Sequence, residues 1–233
     1  MTGVLRVRCL HILLYTGASM ENTIEEIVAL GKYLQSNFLS QAQLIEQSNI
    51  SETAFDKLLE QGAVPKPSYL LDFSLSCHSY FGEHTVPNTQ CTYYAQGCVQ
   101  WITDIRALSN EQTIYAHFKV CFLREYEALK IQGYVRNDAG KNMMLDSYIN
   151  EQFHYFIAGT YGLCTRTGRV TEIVRKEVAM HTIQYLSGIG KLTEGEMITL
   201  QRAIDLLDEA SAYFAPHEYA ASSRAKYIDA LRS

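Results

Sequence analysis

The chain has 233 residues, of which 47% are hydrophobic and 19% are charged, so it can bury a proper core as one large domain or as a smaller and a larger one. Its formal net charge of -5 gives no general attraction to nucleic acid or anionic lipid, and no basic run is longer than two residues. No segment approaches the roughly 20 apolar residues that a membrane span requires, so we expect no membrane partner.

Residues 1–20 carry a weak secretory pattern, with two arginines and a short apolar run followed by small residues. His11 interrupts that run, which is shorter than the usual core of a signal peptide. Met20 precedes the polar stretch ENTIEE and is an alternative first residue. We therefore interpret residues 1–20 as a tail or a start-site extension.

Residues 21–108 are predicted to begin with a helix. Apolar residues at three- and four-residue steps predict this helix over residues 22–38, where one face is apolar. Asn22 or Thr23 is a suitable N-cap, because each side chain accepts a hydrogen bond from a free backbone N–H.

Two shorter helices follow, and they have the pattern of a helix-turn-helix. They are predicted over residues 41–47 and 52–61, capped by Ser40 and Ser51. Asn49 stands at the turn between them, where a left-handed residue is needed and asparagine is the usual substitute for glycine.

The helical period disappears over residues 68–94. YLLDFSLSCHSYF predicts a strand, GEHTVPNT a turn and QCTYY the returning strand. A helix beginning after Tyr94 comes next. With its exit "GxxPxP" and its "YxxxxVxxI" helix, residues 40–106 resemble the winged-helix proteins of the mercury-resistance-regulator and excisionase class. That resemblance implies a helix-turn-helix with a short β wing.

The predicted reading helix has the wrong charge for DNA. Glu52, Asp56 and Glu60 stand there against Lys57, and residues 41–106 hold seven acidic and three basic residues, a net charge of -4. Since contacts to phosphate supply most non-specific affinity, this surface is expected to be repelled by DNA. The electrostatics therefore disfavour DNA as a partner.

The cysteines of the chain show no CxxC pair and no regular spacing, which favours reduced thiols and a cytoplasmic protein. A mixed zinc site on the wing is the alternative. Cys77 and His78 are adjacent, however, and point to opposite faces of a regular strand, so both cannot bind one ion. We predict no metal. The wing residues considered are Cys77, His78, His84, Cys91 and Cys98.

Residues 109–233 are predicted to form a separate, α-helical domain, with the boundary near residues 108–112. Thr193 and Glu196 form a capping box at the start of one of its helices. The predicted helices span residues 110–131, 142–157, 170–186, 193–213 and 217–231.

The stretch FHYFIAGTYGLCTRTG, residues 153–168, contains two glycines three apart, which suggests a kink or a close backbone approach. One interpretation makes Cys164 a nucleophile, with His154 or His181 as its base and Arg166 lowering its pKa. The alternative is a buried cysteine that packs where helices cross. Aromatic and polar residues here also suit a small-molecule pocket.

The segment YFAPHEYAASSRAKYIDALR concentrates polar groups at the start of the last predicted helix, after Pro216. These groups suit a lid or an anion site, and the alternative is a docking helix with a solvated stripe. The candidate ligand-binding residues are Tyr161, Arg166, His217, Glu218, Ser223 and Arg224.

The order "GxxPxPSY", "SYFGEH", "YYxxGCVxWI", "GTYGLCTR", "KEVA" and "FAPHEYxxSSRxxYID" resembles an uncharacterised bacterial family labelled as a natural-product-biosynthesis protein. The resemblance covers residues 33–232. It implies a cytoplasmic protein of secondary metabolism and assigns no reaction.

We therefore expect a mostly α protein, with an N-terminal winged-helix-like unit followed by an α-helical domain. The expected function is an accessory or small-molecule-binding protein of natural-product biosynthesis, whose partner is a small molecule or another protein. No cofactor is predicted, and the sequence indicates no oligomeric state. The alternatives are a ligand-responsive winged-helix transcription regulator and an enzyme that uses Cys164 as its nucleophile.

Overall fold

A computed structural model describes residues 6–8, 17–108, 110–135, 143 and 145–232 of the chain, and the fold is mostly helical, as predicted. The helices are α1 (Gly17–Asn37), α2 (Gln41–Ser48), α3 (Glu52–Glu60), α4 (Cys98–Ile105), α5 (Glu111–Ile131), α6 (Asp146–Ile157), α7 (Thr160–Cys164), α8 (Val170–Ser187), α9 (Glu194–Ala210) and α10 (Ala230–Arg232). The strands are β1 (Arg6–Arg8), β2 (Phe38–Ser40), β3 (Tyr69–Ser79) and β4 (Gly82–Ala95).

The N-terminal helices confirm the predicted turn but not the first predicted cap. α1 begins at Gly17, upstream of Asn22, so the cap predicted there is wrong. Ser40 and Ser51 cap α2 and α3 as expected, and Asn49 has a φ of 51° at the left-handed turn between the two helices. The interpretation of residues 1–20 as a tail falls mostly outside the described residues.

The strands form one sheet in the order β1-β3-β4-β2, in which β4 pairs antiparallel with both β3 and β2, and β1 lies parallel to β3. The chain reverses at Tyr80 and Phe81, before Gly82 at a φ of 118°. The predicted turn GEHTVPNT instead forms part of β4, because glycine supplies the reversal earlier. Pro87 lies at the irregularity in the β3–β4 register, where its missing N–H is tolerated.

Helices α2 and α3 and the β3–β4 hairpin occur in the predicted order. The acidic side chains of α3, from Glu52, Asp56 and Glu60, are exposed to solvent. The arrangement of these elements as a winged helix stays a prediction.

A single hydrophobic core contains residues from both sides of the boundary predicted near residue 108. Trp101 of α4 is central to it: its indole Nε1 donates to the Ala63 carbonyl at 2.8 Å, and its ring lies 4.8 Å from that of Phe156. A smaller cluster of Leu34, Phe38 and Tyr69 packs α1 on the sheet. The division into two domains stays a prediction.

The C-terminal segment differs from the continuous helix predicted over residues 217–231. It forms a 3-10 turn at Tyr219–Ala221, an extended residue at Ser222, a π-helical turn at Arg224–Asp229 and then α10. Among the helices that the structure describes, none is both long and apolar enough to cross a bilayer.

Candidate functional site

The glycine-rich segment around α7 approaches the sheet closely, which confirms the predicted close backbone contact. Gly159 has a φ of 82°, and a Cβ there would lie 2.5 Å from the carbonyl oxygen of Lys66. A Cβ on Gly162 would overlap the hydroxyl of Ser68, the residue just before β3. The segment therefore fixes the position of Tyr161 and Cys164 relative to the rest of the fold.

Polar side chains from α6, α7 and α8 form a connected cluster around one carboxylate, that of Glu177. Its Oε1 lies 3.1 Å from the Tyr161 hydroxyl, and its Oε2 accepts from the Tyr148 hydroxyl, also at 3.1 Å. The Tyr161 hydroxyl also contacts Gln152 Oε1, and His181 Nε2 lies 3.4 Å from the Tyr148 hydroxyl. We name these five residues the Glu177 cluster.

Both tyrosines of the Glu177 cluster stay protonated near neutral pH. Burial raises the pKa of Tyr148 and of Tyr161 far above the ordinary value, and the neighbouring Glu177 carboxylate raises both further. Each hydroxyl is thus a donor with one proton. Tyr161 faces two acceptor oxygens, Gln152 Oε1 and Glu177 Oε1, and cannot donate to both at once.

Cys164 borders the Glu177 cluster, where it interacts electrostatically with Tyr161 and Glu177. Burial raises the pKa of its thiol and Glu177 adds to this rise, while Lys176 opposes it. The net shift is upward, so the thiolate is disfavoured near neutral pH. An activated nucleophile needs the opposite shift.

The two candidate bases for Cys164 lie in different places. His181 belongs to the Glu177 cluster through Tyr148. His154 is on the exposed face of α6, where its ring lies 3.4 Å from Asn150 Nδ2. The structure therefore brings Cys164 and His181 to one neighbourhood and leaves His154 outside it.

Two candidate ligand-binding arginines, Arg166 and Arg224, bind the C-terminal end of α9. Arg166 Nη2 donates to the Asp208 carbonyl at 2.7 Å, and its guanidinium lies 3.9 Å above the Tyr213 ring. Arg224 Nη2 donates to the same carbonyl at 3.1 Å, and its Nη1 pairs with the Asp208 carboxylate at 2.7 Å. Arg232 pairs with that carboxylate at 2.6 Å. We name these five residues the helix-end cluster.

The helix-end cluster has a structural explanation. The last carbonyls of a helix lack backbone partners and carry partial negative charge, so guanidinium groups stabilise them. Arg224 and Arg166 together take up these groups, so the position of both side chains is explained without a ligand.

The remaining candidates lie elsewhere in the C-terminal segment. Glu218 Oε2 accepts from the Tyr69 hydroxyl at 2.5 Å, and His217 Nε2 lies 3.8 Å from the other Glu218 oxygen. The Ser223 hydroxyl oxygen is buried and has no hydrogen-bond partner among the described residues. The six candidate ligand-binding residues therefore divide among three places, and Tyr161 is the one within the Glu177 cluster.

Three members of the Glu177 cluster, namely Tyr148, Gln152 and Glu177, were missed by the sequence analysis. A signal was present, because Glu177 and His181 are four residues apart on α8 and so share a face. Their neighbours Val174 and Val178 on α8 are buried. A carboxylate and an imidazole beside buried valines indicate a polar site.

Metal ligation has no support in the parts of the chain that the structure describes. No group of three or more histidine, cysteine, aspartate or glutamate side chains there is arranged to hold an ion. The wing cysteines Cys77 and Cys91 are exposed, whereas Cys98 is buried.

Comparisons with known proteins give one match, in the C-terminal half. No curated protein and no solved structure matches the chain. A family model described as a family of unknown function, DUF6058, matches residues 114–233, just over half of the chain. The matched region contains both the Glu177 cluster and the helix-end cluster. The chain therefore belongs to the DUF6058 family of unknown function.

Proposed function

We propose that the protein binds a small polar molecule at the Glu177 cluster and acts as an accessory protein of natural-product biosynthesis. The observation that carries the proposal is the cluster itself: the Tyr148 and Tyr161 hydroxyls meet the Glu177 carboxylate, and each also contacts a further polar side chain, His181 or Gln152. The link to natural products is supported by the stretches GTYGLCTR and FAPHEYAASSR, which resemble an uncharacterised bacterial family labelled as a natural-product-biosynthesis protein.

The Glu177 cluster has unused capacity to accept hydrogen bonds. Tyr161 has one proton for two facing oxygens, so either Gln152 or Glu177 lacks a donor from it. A ligand with an amino or hydroxyl group would supply the missing donor.

The cluster is also within reach of solvent. Tyr148, Glu177 and His181 are half-buried, whereas Gln152 and Tyr161 are buried. This gradient places the accessible groups at an entrance and the buried Gln152 and Tyr161 behind them, the arrangement of a small-molecule site with few, well-placed polar groups. Tyr148 and His181 are positioned to orient a second polar group of the ligand.

Equilibrium dialysis of the purified protein against a small-metabolite fraction, followed by mass spectrometry, tests the proposal. We expect an amine- or hydroxyl-bearing compound to be retained by the wild type and lost in Glu177→Gln. Glu127→Gln is the matched control, since the side chain of Glu127 on α5 is 44% exposed and contacts Lys130. Equal retention by wild type and Glu177→Gln would exclude the cluster as the site.

A ligand-responsive regulator is the second candidate function, favoured by the order of α2, the left-handed Asn49, α3 and the hairpin. The exposed acids on α3 oppose it. Such a regulator would be retained on duplex DNA at low salt and released steeply as salt rises. Absence of retention at low salt would exclude it.

An enzyme that uses Cys164 is the third candidate and the least favoured, because burial raises the pKa of that thiol. We expect thiol reagents to label the exposed Cys77 and Cys91 well before Cys164 near neutral pH. Preferential labelling of Cys164, lost in Cys164→Ser, would restore this candidate.

A further inference from the structure

The Glu177 cluster contains more acceptor oxygens than protons to fill them. Among the described residues, the protons directed at these oxygens are the two of the tyrosine hydroxyls, and His181 adds a third only as the tautomer protonated on Nε2. Each carboxylate oxygen alone can accept two hydrogen bonds, so acceptor positions remain open to a ligand. The oxygens are the two of the Glu177 carboxylate, Gln152 Oε1 and the hydroxyl oxygens of Tyr148 and Tyr161.

The charge around these oxygens is negative. The exposed Glu151 carboxylate on α6 adds to the negative potential at the Tyr148 hydroxyl, beside that of Glu177. Within the described ranges of the chain, no ion pair joins Glu177 to a lysine, arginine or histidine side chain. Lys176 instead acts on Cys164 at the border of the cluster. A half-buried carboxylate in this setting favours a cationic partner, because hydrogen bonds between charged groups are the strong ones.

An organic cation suits the cluster better than a metal ion. Calcium takes roughly six to eight oxygen ligands and magnesium needs a near-ideal octahedron, and both are usually held through carboxylates. The cluster has one carboxylate, and the described parts of the chain hold no group of three or more histidine, cysteine, aspartate or glutamate side chains arranged for an ion. An ammonium group brings three N–H donors on one compact charge, which matches a site with surplus acceptors.

We propose that the ligand of the Glu177 cluster is a primary amine bound as its ammonium ion, an inference that rests on the function proposed above. One N–H of the ammonium group donates to the Glu177 carboxylate, and the others donate to the neutral oxygens beside it. The group enters past the half-buried Tyr148 and His181 and meets the buried Gln152 and Tyr161 behind them. A hydroxyl group brings one proton and no charge, so it fills fewer of these acceptors.

Titration of the full chain with n-butylammonium chloride, followed by NMR of the ligand at neutral pH and low salt, tests the ligand class. The concentrations span about 0.1–100 mM, because so small a ligand binds in the millimolar range. n-Butanol is the neutral probe of the same chain length, and tetramethylammonium chloride is a cation without an N–H. We expect butylammonium to bind at least about tenfold more tightly than either, because it alone combines the charge with the donors.

Two variants of equal charge change locate the binding. Glu177→Gln keeps the shape of the side chain and removes its charge, so we expect butylammonium to bind at least about tenfold more weakly, as for a lost hydrogen bond to a charged group. The affinity for n-butanol is expected to stay within about twofold, because a neutral donor depends less on the charge. Glu127→Gln removes the same charge from the 44% exposed Glu127 on α5 and is expected to leave both affinities unchanged.

Three results would overturn the assignment to ammonium: no binding of butylammonium over this range, an affinity no higher than that of n-butanol or tetramethylammonium, or equal binding to wild type and Glu177→Gln. Failure of the proposed function has a different signature, because the dialysis experiment would then retain no compound in a manner that depends on Glu177. A neutral compound retained by the wild type and lost in Glu177→Gln would keep the small-molecule site and overturn its assignment to amines.

Discussion

The Glu177 cluster and the helix-end cluster are both polar, both lie in the family-matched half, and differ in what their polar groups face. In the helix-end cluster, Arg166 and Arg224 donate to main-chain carbonyls at the end of α9. In the Glu177 cluster, side chains face other side chains, and Tyr161 cannot satisfy both of its acceptors. A polar group bound to a helix end stabilises the fold, whereas one left short of a partner remains available to a ligand.

The largest expected effect comes from Gly159→Ala, because the α7 segment carries Tyr161 of one cluster and is followed by Arg166 of the other. The new Cβ would meet the Lys66 carbonyl oxygen and would force alanine to a φ of 82°. We expect a loss of about 3 kcal/mol in the free energy of unfolding, measured by denaturant titration.

Gly190→Ala is the control for this variant, since no atom lies within 4 Å of a Cβ at Gly190. It is expected to stay within about 0.5 kcal/mol of the wild type. A Gly159→Ala protein as stable as this control would show that the segment does not hold the two clusters.

Arg224→Met tests the structural role of the helix-end cluster and leaves the Glu177 cluster unchanged. Arg224 is 12% exposed, and its removal leaves the Ala212 carbonyl and part of the Asp208 carboxylate without a donor. We expect a loss of about 2 kcal/mol, typical of hydrogen bonds to charged groups. Arg232→Met removes a 39% exposed arginine from the same carboxylate and is expected to cost about 0.5 kcal/mol. Equal losses from both variants would contradict the structural role given to Arg224.

The acid dependence of stability is a further test of the structural role of the helix-end cluster. Burial alone would raise the pKa of Asp208, but hydrogen bonds from Arg232 and Arg224 lower it below its usual value. The folded-state pKa is depressed, so this stabilisation is present above the unfolded pKa, near 4, and is lost as pH falls through the folded value. We expect Asp208→Asn to remove roughly 1 kcal/mol of this acid-sensitive stability. An unchanged pH profile below pH 4 in unfolding titrations would contradict the assignment.

The sequence predicted local features well where a single residue type determines them. Asn49 takes the left-handed turn, and Thr193 with Glu196 forms the capping box of α9. Both depend on contacts within a few residues, which a pattern contains. The turn of the hairpin was misplaced because Gly82 competes with the proline-containing stretch that follows it.

The candidate site was predicted only in part, because it is assembled from distant segments. Tyr148 and Glu177 are 29 positions apart, and a single sequence contains no information that pairs them. Arg166 was assigned to a ligand because its partners, main-chain carbonyls on α9, leave no trace in the sequence. Side-chain type therefore indicated polarity at these positions but not what each group would contact.

A small expected effect tests the central claim most directly. Gln at position 177 keeps the shape and one acceptor of the carboxylate, so we expect Glu177→Gln to unfold within about 1 kcal/mol of the wild type, while Arg224→Met loses about 2 kcal/mol. The side-by-side measurement is denaturant unfolding of the two variants at neutral pH. A loss in Glu177→Gln as large as that in Arg224→Met would show that the Glu177 cluster supports the fold, and would contradict its assignment as a ligand site.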